Sequence, residues 1–283
     1  MRRLDLHVHS TASDGTLTPR ELVLLAKRSN LAGLGLCDHD TVDGLAEFWA
    51  AGADYDFPVV GGVELSLNYQ RITHLLGLGV ACGKDSPPRL EALQRWRLER
   101  NQKLLGKLEA LGVKLSWERI EAIAGGGQPG KPHFARAMLE LGYVSSLQEA
   151  FDKFMGKGRP AYVEKARLSP PEAIELLRDK GFAPVLAHPV SLGLRAEEWL
   201  KAIPQWADWG LAGLEAYHPD HSPAFAAFIA LLADKHGLVA TAGSDYHGAN
   251  KATPITWTRD NSPLGLSVVE ALRQKLGPGL RAG

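Results

Sequence analysis

Cysteine is nearly missing: Cys37 and Cys82 are the only two in 283 residues. Both lie in apolar, strand-like stretches, so buried reduced thiols are expected rather than a disulfide framework or a zinc knuckle. No apolar run reaches the roughly 18 to 20 residues that a membrane-spanning helix needs. Met1-Arg2-Arg3 leads straight into a strand carrying Asp5, without the apolar stretch of a secretory leader, and a cytoplasmic location is the expectation. Net charge is absent as well: 32 Lys+Arg balance 32 Asp+Glu, and bulk charge gives no reason to expect a nucleic-acid partner. Repeats and low-complexity tracts are lacking, and the glycine-rich loop from Gly125 to Gly130 has no GKS or GKT ending to make it a P-loop.

What is present suits one large α/β domain, or such a domain carrying an insertion. Strand-like and helix-like segments alternate, which favours a parallel sheet or barrel. Thr18-Pro19-Arg20-Glu21 and Ser169-Pro170-Pro171-Glu172 are capping boxes with proline at the first helical position. Seven strands are expected, and one connection stands out. Only Ser66 to Arg71 separate the third strand from the fourth, too few for a parallel crossover, so an antiparallel hairpin centred near Tyr69 should set Glu64 opposite His74. From Lys84 to Arg167 strand signals vanish and charged helices take over, with caps expected at Ser86, Ser116 and the Ser146-x-x-Glu149 box. This stretch holds 16 Lys+Arg against 10 Asp+Glu, whereas the remainder holds 16 against 22. A basic segment set into an acidic scaffold suits an anionic substrate held between them; a solvated helical face accounts for such a run equally well.

The chemistry-bearing residues sit at strand ends. Leu4 to Ser10 alternates apolar and polar residues, and a period of two puts His7 and His9 on one face, able to share a cation. On its own the pair reads equally as a polar strand end. Yet His39, Glu64, His188 and Asp245 also fall at or just after strand C-termini, where barrel loops converge, and His74 joins them through the hairpin.

Taken together, His7-x-His9, Asp14, Asp38-His39-Asp40, Gly62-Val63-Glu64, His74, Ala187-His188-Pro189 and Gly243-Ser244-Asp245-x-His247 resemble the successive motifs of the PHP (polymerase and histidinol phosphatase) phosphoesterases. Lys131-Pro132-His133-Phe134-Ala135-Arg136 and Gly158 to Val163 resemble segments of the stand-alone nucleotide phosphatases of that family. The resemblance implies an α/β fold: a distorted (β/α)7 TIM-like barrel, residues 1–83 and 168–283, with a helical, substrate-covering insertion at 84–167. It also implies three divalent metal ions. His7, His9, Glu64 and Asp245 would hold the first, Glu64 would bridge to a second bound by His74 and His188, and Asp14, His39 and His247 would hold the third. A nitrogen and oxygen set without thiolate suits Mn²⁺, Fe²⁺ or Zn²⁺, with manganese the first choice by resemblance.

Clustered cations act as Lewis acids on phosphate oxygens and supply a nucleophile at neutral pH, so hydrolysis of a phosphate ester is the expected reaction. The expected substrate is a small nucleotide with two phosphates, losing the 3′-phosphate of a nucleoside 3′,5′-bisphosphate. A 5′-to-3′ exonuclease on short oligonucleotides, a histidinol phosphatase and a metal-stabilised binding module are the alternatives. No membrane or obligate protein partner is expected. Lys131, His133, Arg136 and Arg159 read either as a clamp on the second phosphate or as surface ion pairs. The family often has arginine at the Lys131 position and lysine at the Arg159 position, so the clamp can differ here. His218 reads as a leaving-group acid, a substrate contact or part of a capping loop. Asp40, beside His39, reads as a proton shuttle or an orienting group.

Overall fold

The computed structural model describes residues 3–69, 71, 73–79, 88–164, 167–255 and 264–276. Along the chain these form β1 (Leu4–Val8), α1 (Pro19–Arg28), β2 (Gly33–Leu36), α2 (Leu45–Asp54), β3 (Val59–Ser66) and β4 (His74–Gly79). A helical stretch follows: α3 (Pro88–Ala110), α4 (Trp117–Ala124), α5 (Lys131–Glu140) and α6 (Leu147–Ala150), the last continuing into a π-helical turn at Phe151–Met155. The alternation then resumes with α7 (Pro170–Asp179), β5 (Phe182–Leu186), α8 (Ala196–Asp208), β6 (Gly213–Tyr217), α9 (Pro223–Lys235), β7 (Val239–Ala242) and α10 (Ser267–Leu276). Cys82, Lys84 and the expected cap at Ser86 lie outside the described residues.

Local chemistry explains the helix starts. Thr18 Oγ1 accepts from the Glu21 N–H at 3.2 Å while Glu21 returns a bond to the Thr18 N–H at 2.8 Å, and Lys27 and Arg28 in the last turn oppose the helix dipole. Pro19, Leu22, Val23 and Ala26 fall on the face of α1 turned inward. Ser169 and Glu172 repeat the device on α7. At Ser146 only half of the expected box forms: its hydroxyl caps Glu149, but the Glu149 carboxylate turns back to Ser145 instead.

The strands pair in chain order, β1 through β7. Pairs β1–β2, β2–β3, β5–β6 and β6–β7 are parallel, whereas β4 runs antiparallel to both neighbours. The first and last strands meet beyond their ends: Val8 bridges Tyr246, the His9 N–H donates to the Tyr246 carbonyl at 2.9 Å, and the Asp245 N–H donates to the His7 carbonyl at 2.9 Å. The sheet thereby curls into a nearly closed barrel whose one mouth gathers the C-terminal ends of the six strands that run alike and the start of β4.

The short β3–β4 connection is the antiparallel hairpin expected, with a different register. Ser66 pairs with His74, and Glu64 pairs with Leu76. The pairing is centred one residue beyond Tyr69, which moves each partner by two positions. Since strand side chains alternate, a shift of two keeps His74 on the face of Glu64.

Apolar residues of the strands and their flanking helices fill three core clusters around the barrel. A fourth, including Leu104, Leu108, Ile120, Phe134 and Met138, is drawn from residues 104–161 alone, so the helical stretch packs on itself. Among the described residues it is fastened to the barrel from α3 and from the loop after α4. From α3, Arg97 pairs with Asp40 and Gln94 donates to Thr41 Oγ1 at 3.3 Å. From the loop after α4, the Gln128 N–H donates to the Ala12 carbonyl at 3.0 Å, and Gly127 lies so close that a Cβ there would sit 1.8 Å from the Thr11 oxygen.

Candidate metal centre

The strand ends deliver a concentrated set of imidazoles and carboxylates to the barrel mouth. His7 is on β1 and His9 just beyond it, His39 follows β2, Glu64 is on β3, and His74 opens β4. His188 follows β5, Glu215 lies within β6, and Asp245 and His247 follow β7. His188 at φ 26 and Asp245 at φ 51 occupy the left-handed region, a backbone conformation that turns side chains abruptly toward the axis. Gly243 permits this convergence, because a Cβ there would lie 2.2 Å from Glu215 Oε1 and 2.3 Å from His7 Cβ.

Three groups of donor atoms each lie within 4.8 Å of one another: His7, His9, Glu64 and Asp245; His9, Asp14, His39 and His247; and His39, Glu64 and His74. In the first, His9 Nε2 is 3.1 Å from His7 Nε2 and 3.1 Å from Asp245 Oδ1. Glu64 Oε1 is 3.0 Å from His74 Nδ1 and 3.1 Å from His188 Nε2, which are themselves 3.2 Å apart. His247 Nε2 lies 3.4 Å from Asp14 Oδ1, and His39 Nε2 lies 3.9 Å from Asp14 Oδ2. The other His39 nitrogen comes within 2.9 Å of Glu64 Oε2, placing this ring at the border of two groups.

Burial makes the arrangement costly unless something binds it. His7, His9 and Glu64 have no exposed surface, yet His9 Nδ1 makes no hydrogen bond, and His39 Nδ1 and Glu64 Oε2 face each other at 2.9 Å without the alignment of one. Lone pairs converging at such distances fit divalent cations, and the mixed nitrogen and oxygen donors set their class. Burial works against the charge on Glu64, Asp14 and Asp245, but surrounding imidazoles overcome it and hold all three carboxyls well below their usual range. His9, opposed by burial but facing Asp245 and Glu64, is pushed up to about 10, so cations entering here must displace protons.

Neighbouring groups orient these donors. Glu215 Oε1 lies 3.0 Å from His7 Nδ1, and its other oxygen accepts from the His188 N–H at 2.6 Å. Asp38 accepts from the Ser10 N–H at 2.8 Å and from the Ser13 hydroxyl at 2.5 Å, shaping the loop that carries Asp14. His247 Nδ1 lies 2.9 Å from the Asp245 carbonyl and donates to it, which leaves Nε2 facing Asp14.

A cavity of about 480 Å³ opens over this cluster, lined by donors from the barrel and by Pro132, Gln148 and Phe151 from the helical stretch. His218 also lines it. Its Nδ1 accepts from the Asp220 N–H at 3.1 Å and its Nε2 is unpartnered, while burial and the nearby His188 and His221 bring its pKa down to about 4. Asp40 lies outside the lining: its carboxylate holds Arg97 and its N–H donates to the Glu64 carbonyl at 2.9 Å. His133 caps α5 through a 2.9 Å bond from the Gly130 N–H, and Lys131 Nζ reaches the Met155 carbonyl at 2.9 Å over the Tyr162 ring. Arg136, paired with Glu140 at 3.3 Å, and Arg159 are exposed and outside the lining. Sequence reasoning missed Glu215, Lys251, Arg97 and Arg100. Of these only Glu215, a carboxylate inside an apolar strand, left a visible signal.

The chain is similar to known proteins over most of its length. Residues 5–141 match the PHP domain family. A 3′,5′-nucleoside bisphosphate phosphatase from Chromobacterium violaceum is 33% identical over 274 residues, 93% of this chain and 94% of its own length. A 5′-3′ exoribonuclease from Haemophilus influenzae is 32% identical over 250 residues, 87% of this chain and 90% of its own. The solved structure of an amidohydrolase from Chromobacterium violaceum, with bound sulfate, has a TM-score of 0.83 at 31% identity over 96% of both chains. With relatives this similar along nearly its whole length, and with strand-end imidazoles and carboxylates converging on one mouth, the chain belongs to the PHP domain family of metal-dependent phosphoesterases.

Proposed function

We propose that this chain removes the 3′-phosphate from nucleoside 3′,5′-bisphosphates, using three divalent ions, manganese first among them. The observation that carries this reading is the convergence of buried imidazole and carboxylate donor atoms, several of them in no hydrogen bond, at the barrel mouth. The names of the bisphosphate phosphatase and exoribonuclease relatives support a nucleotide substrate. Ions there would polarise the phosphoryl oxygens and supply a nucleophile at neutral pH. His7, His9, Glu64 and Asp245 would hold one, Glu64, His74 and His188 a second, and Asp14, His39 and His247 the third.

The chain's own groups do the rest. Glu215 keeps His7 in its tautomer and orientation. His218, neutral near pH 7 and with Nδ1 accepting from Asp220, carries its proton on the unpartnered Nε2 at the cavity wall, the group that would bond the departing oxygen. Asp40 is a positioning residue that locks α3 against the barrel through Arg97. The helical segment 84–167 serves as the substrate cover, and Lys131 anchors the phosphate that does not react. Burial and the nearby Arg100 and Arg167 outweigh Glu164 and bring Lys131 down to about 8, so an added anion would favour its charged form. His133 orders the turn beneath Lys131, while Arg136 and Arg159 form an outer basic rim.

The test is a phosphate-release screen with Mn²⁺, Fe²⁺ and Zn²⁺ supplied separately. A 3′,5′-bisphosphate should be turned over with the highest kcat/KM, above histidinol phosphate and 5′-phosphorylated oligonucleotides. If all three stay intact with the metal-replete protein, the reading is wrong; preference for the oligonucleotide would make this an exonuclease.

A further inference from the structure

Among the described residues lining the cavity, Lys251 is the only lysine or arginine. It follows the short turn Gly248–Asn250 beyond β7, and its Nζ lies 2.5 Å from Asp245 Oδ2. The other oxygen of that carboxylate faces the donor cluster, 3.1 Å from His9 Nε2 and 3.5 Å from His7 Nε2. One carboxylate therefore faces both groups, its Oδ2 toward the ammonium and its Oδ1 toward the donor cluster. Asp245 uses one of the three Lys251 hydrogens, and the side chain is 32% exposed, so the others can reach an incoming anion.

A phosphate monoester carries close to two negative charges at neutral pH, whereas a diester carries one. A fixed ammonium beside the reacting phosphorus interacts more strongly with the former. Resting on the phosphoesterase reading above, we propose that Lys251 contacts the phosphoryl group being transferred and selects terminal phosphate monoesters over phosphodiesters. It would be the residue that sets phosphatase chemistry ahead of chain cleavage at this mouth.

The experiment compares the metal-loaded wild type with Lys251→Ala and Lys251→Arg on p-nitrophenyl phosphate and on bis-p-nitrophenyl phosphate. Losing a charge-assisted contact should lower kcat/KM for the monoester by roughly 10- to 100-fold and for the diester by less than about 3-fold. Lys251→Arg should restore most of the monoester rate, with metal content and Tm unchanged in both variants. Equal losses on the two substrates, or loss of metal in both variants, would show that Lys251 only secures Asp245 and would overturn the proposal. So would unchanged rates. A wild type inactive on both esters would sink the phosphoesterase reading separately. Calorimetry with inorganic phosphate and with dimethyl phosphate would then decide on Lys251: weakening confined to inorganic phosphate sustains its role, and equal or absent weakening ends it.

Discussion

The barrel mouth and the inner face of the helical segment handle charge in opposite ways. At the mouth, buried carboxylates and imidazoles face one another within about 3 to 4 Å; the imidazoles hold the carboxyls of Asp14, Glu64 and Asp245 down and the carboxylates push His9 up, while burial and the neighbouring His188 and His39 bring His74 down to about 4. In the helical segment, cations face cations. Arg100 is buried with an unpartnered Nε and is brought down to about 10 by burial and by Arg97, and Lys131 is brought down to about 8 by burial and by Arg100. The first region is short of positive charge and the second of negative charge. A ligand that supplies anionic groups to both, one of them through metal ions, relieves the two deficits together.

The sharpest break of this contrast comes at Glu64, which faces five imidazoles, those of His7, His9, His39, His74 and His188. Glu64→Gln should release metal, seen by elemental analysis, and reduce phosphate release by more than the roughly 100-fold that losing a ligand's neighbour costs. Lys131→Met should leave metal content intact, because its charge belongs to the other region. Full metal content in Glu64→Gln would remove that carboxylate from the donor set. The join between the regions comes next. Asp40→Ala leaves Arg97 buried and unpaired, and urea unfolding should show a loss of about 3 to 5 kcal/mol. Adding Arg97→Met should recover part of it; a loss below about 1 kcal/mol would mean that the pair is solvated.

Much of the mouth was legible in the chain because its residues follow strands. Period-two alternation put His7 beside His9, and the short link after Ser66 required a hairpin that carries His74 toward Glu64. The hairpin's centre was misplaced by one residue because its loop has no alternating pattern to count from. Glu215 went unassigned since it meets His7 across 208 residues of chain, a contact that no local spacing encodes. Arg97 and Arg100, three positions apart on a charged helix, look like a solvated face in sequence. They are buried because that face lies against the barrel. The same physics gives Glu215 a measurable weight: Glu215→Gln, which weakens the hold on His7 without removing a donor, should lower metal affinity by about 10- to 100-fold. Unchanged affinity in a metal titration would make Glu215 a packing residue.

The smallest effect tests the helical segment directly through pH. Lys131 titrates near 8 in the fold against its usual 10.5, so the folded state favours the neutral amine. Between these values the unfolded chain binds more protons, and stability must rise as pH climbs through the window; below pH 8 both states are protonated and the penalty is constant. The rise should be on the order of 1 kcal/mol once solvent screening of a partly exposed amine is allowed for. Thermal unfolding of wild type and Lys131→Met between pH 7 and 10.5 measures it as a difference that closes with rising pH. Because Lys131→Met lacks the titration, it also isolates this lysine from the other groups that ionise in that range. A phosphate seated on Lys131 would restore the proton and flatten the wild-type slope, whereas a pH difference unaffected by a saturating 3′,5′-bisphosphate would place the second phosphate elsewhere. Bisphosphate affinity should fall over the same interval as the ammonium is lost, and that fall should be missing in Lys131→Met. The two regions are thus separable by titration: metal binding strengthens as pH rises and protons leave the mouth, while anion binding at the helical segment weakens.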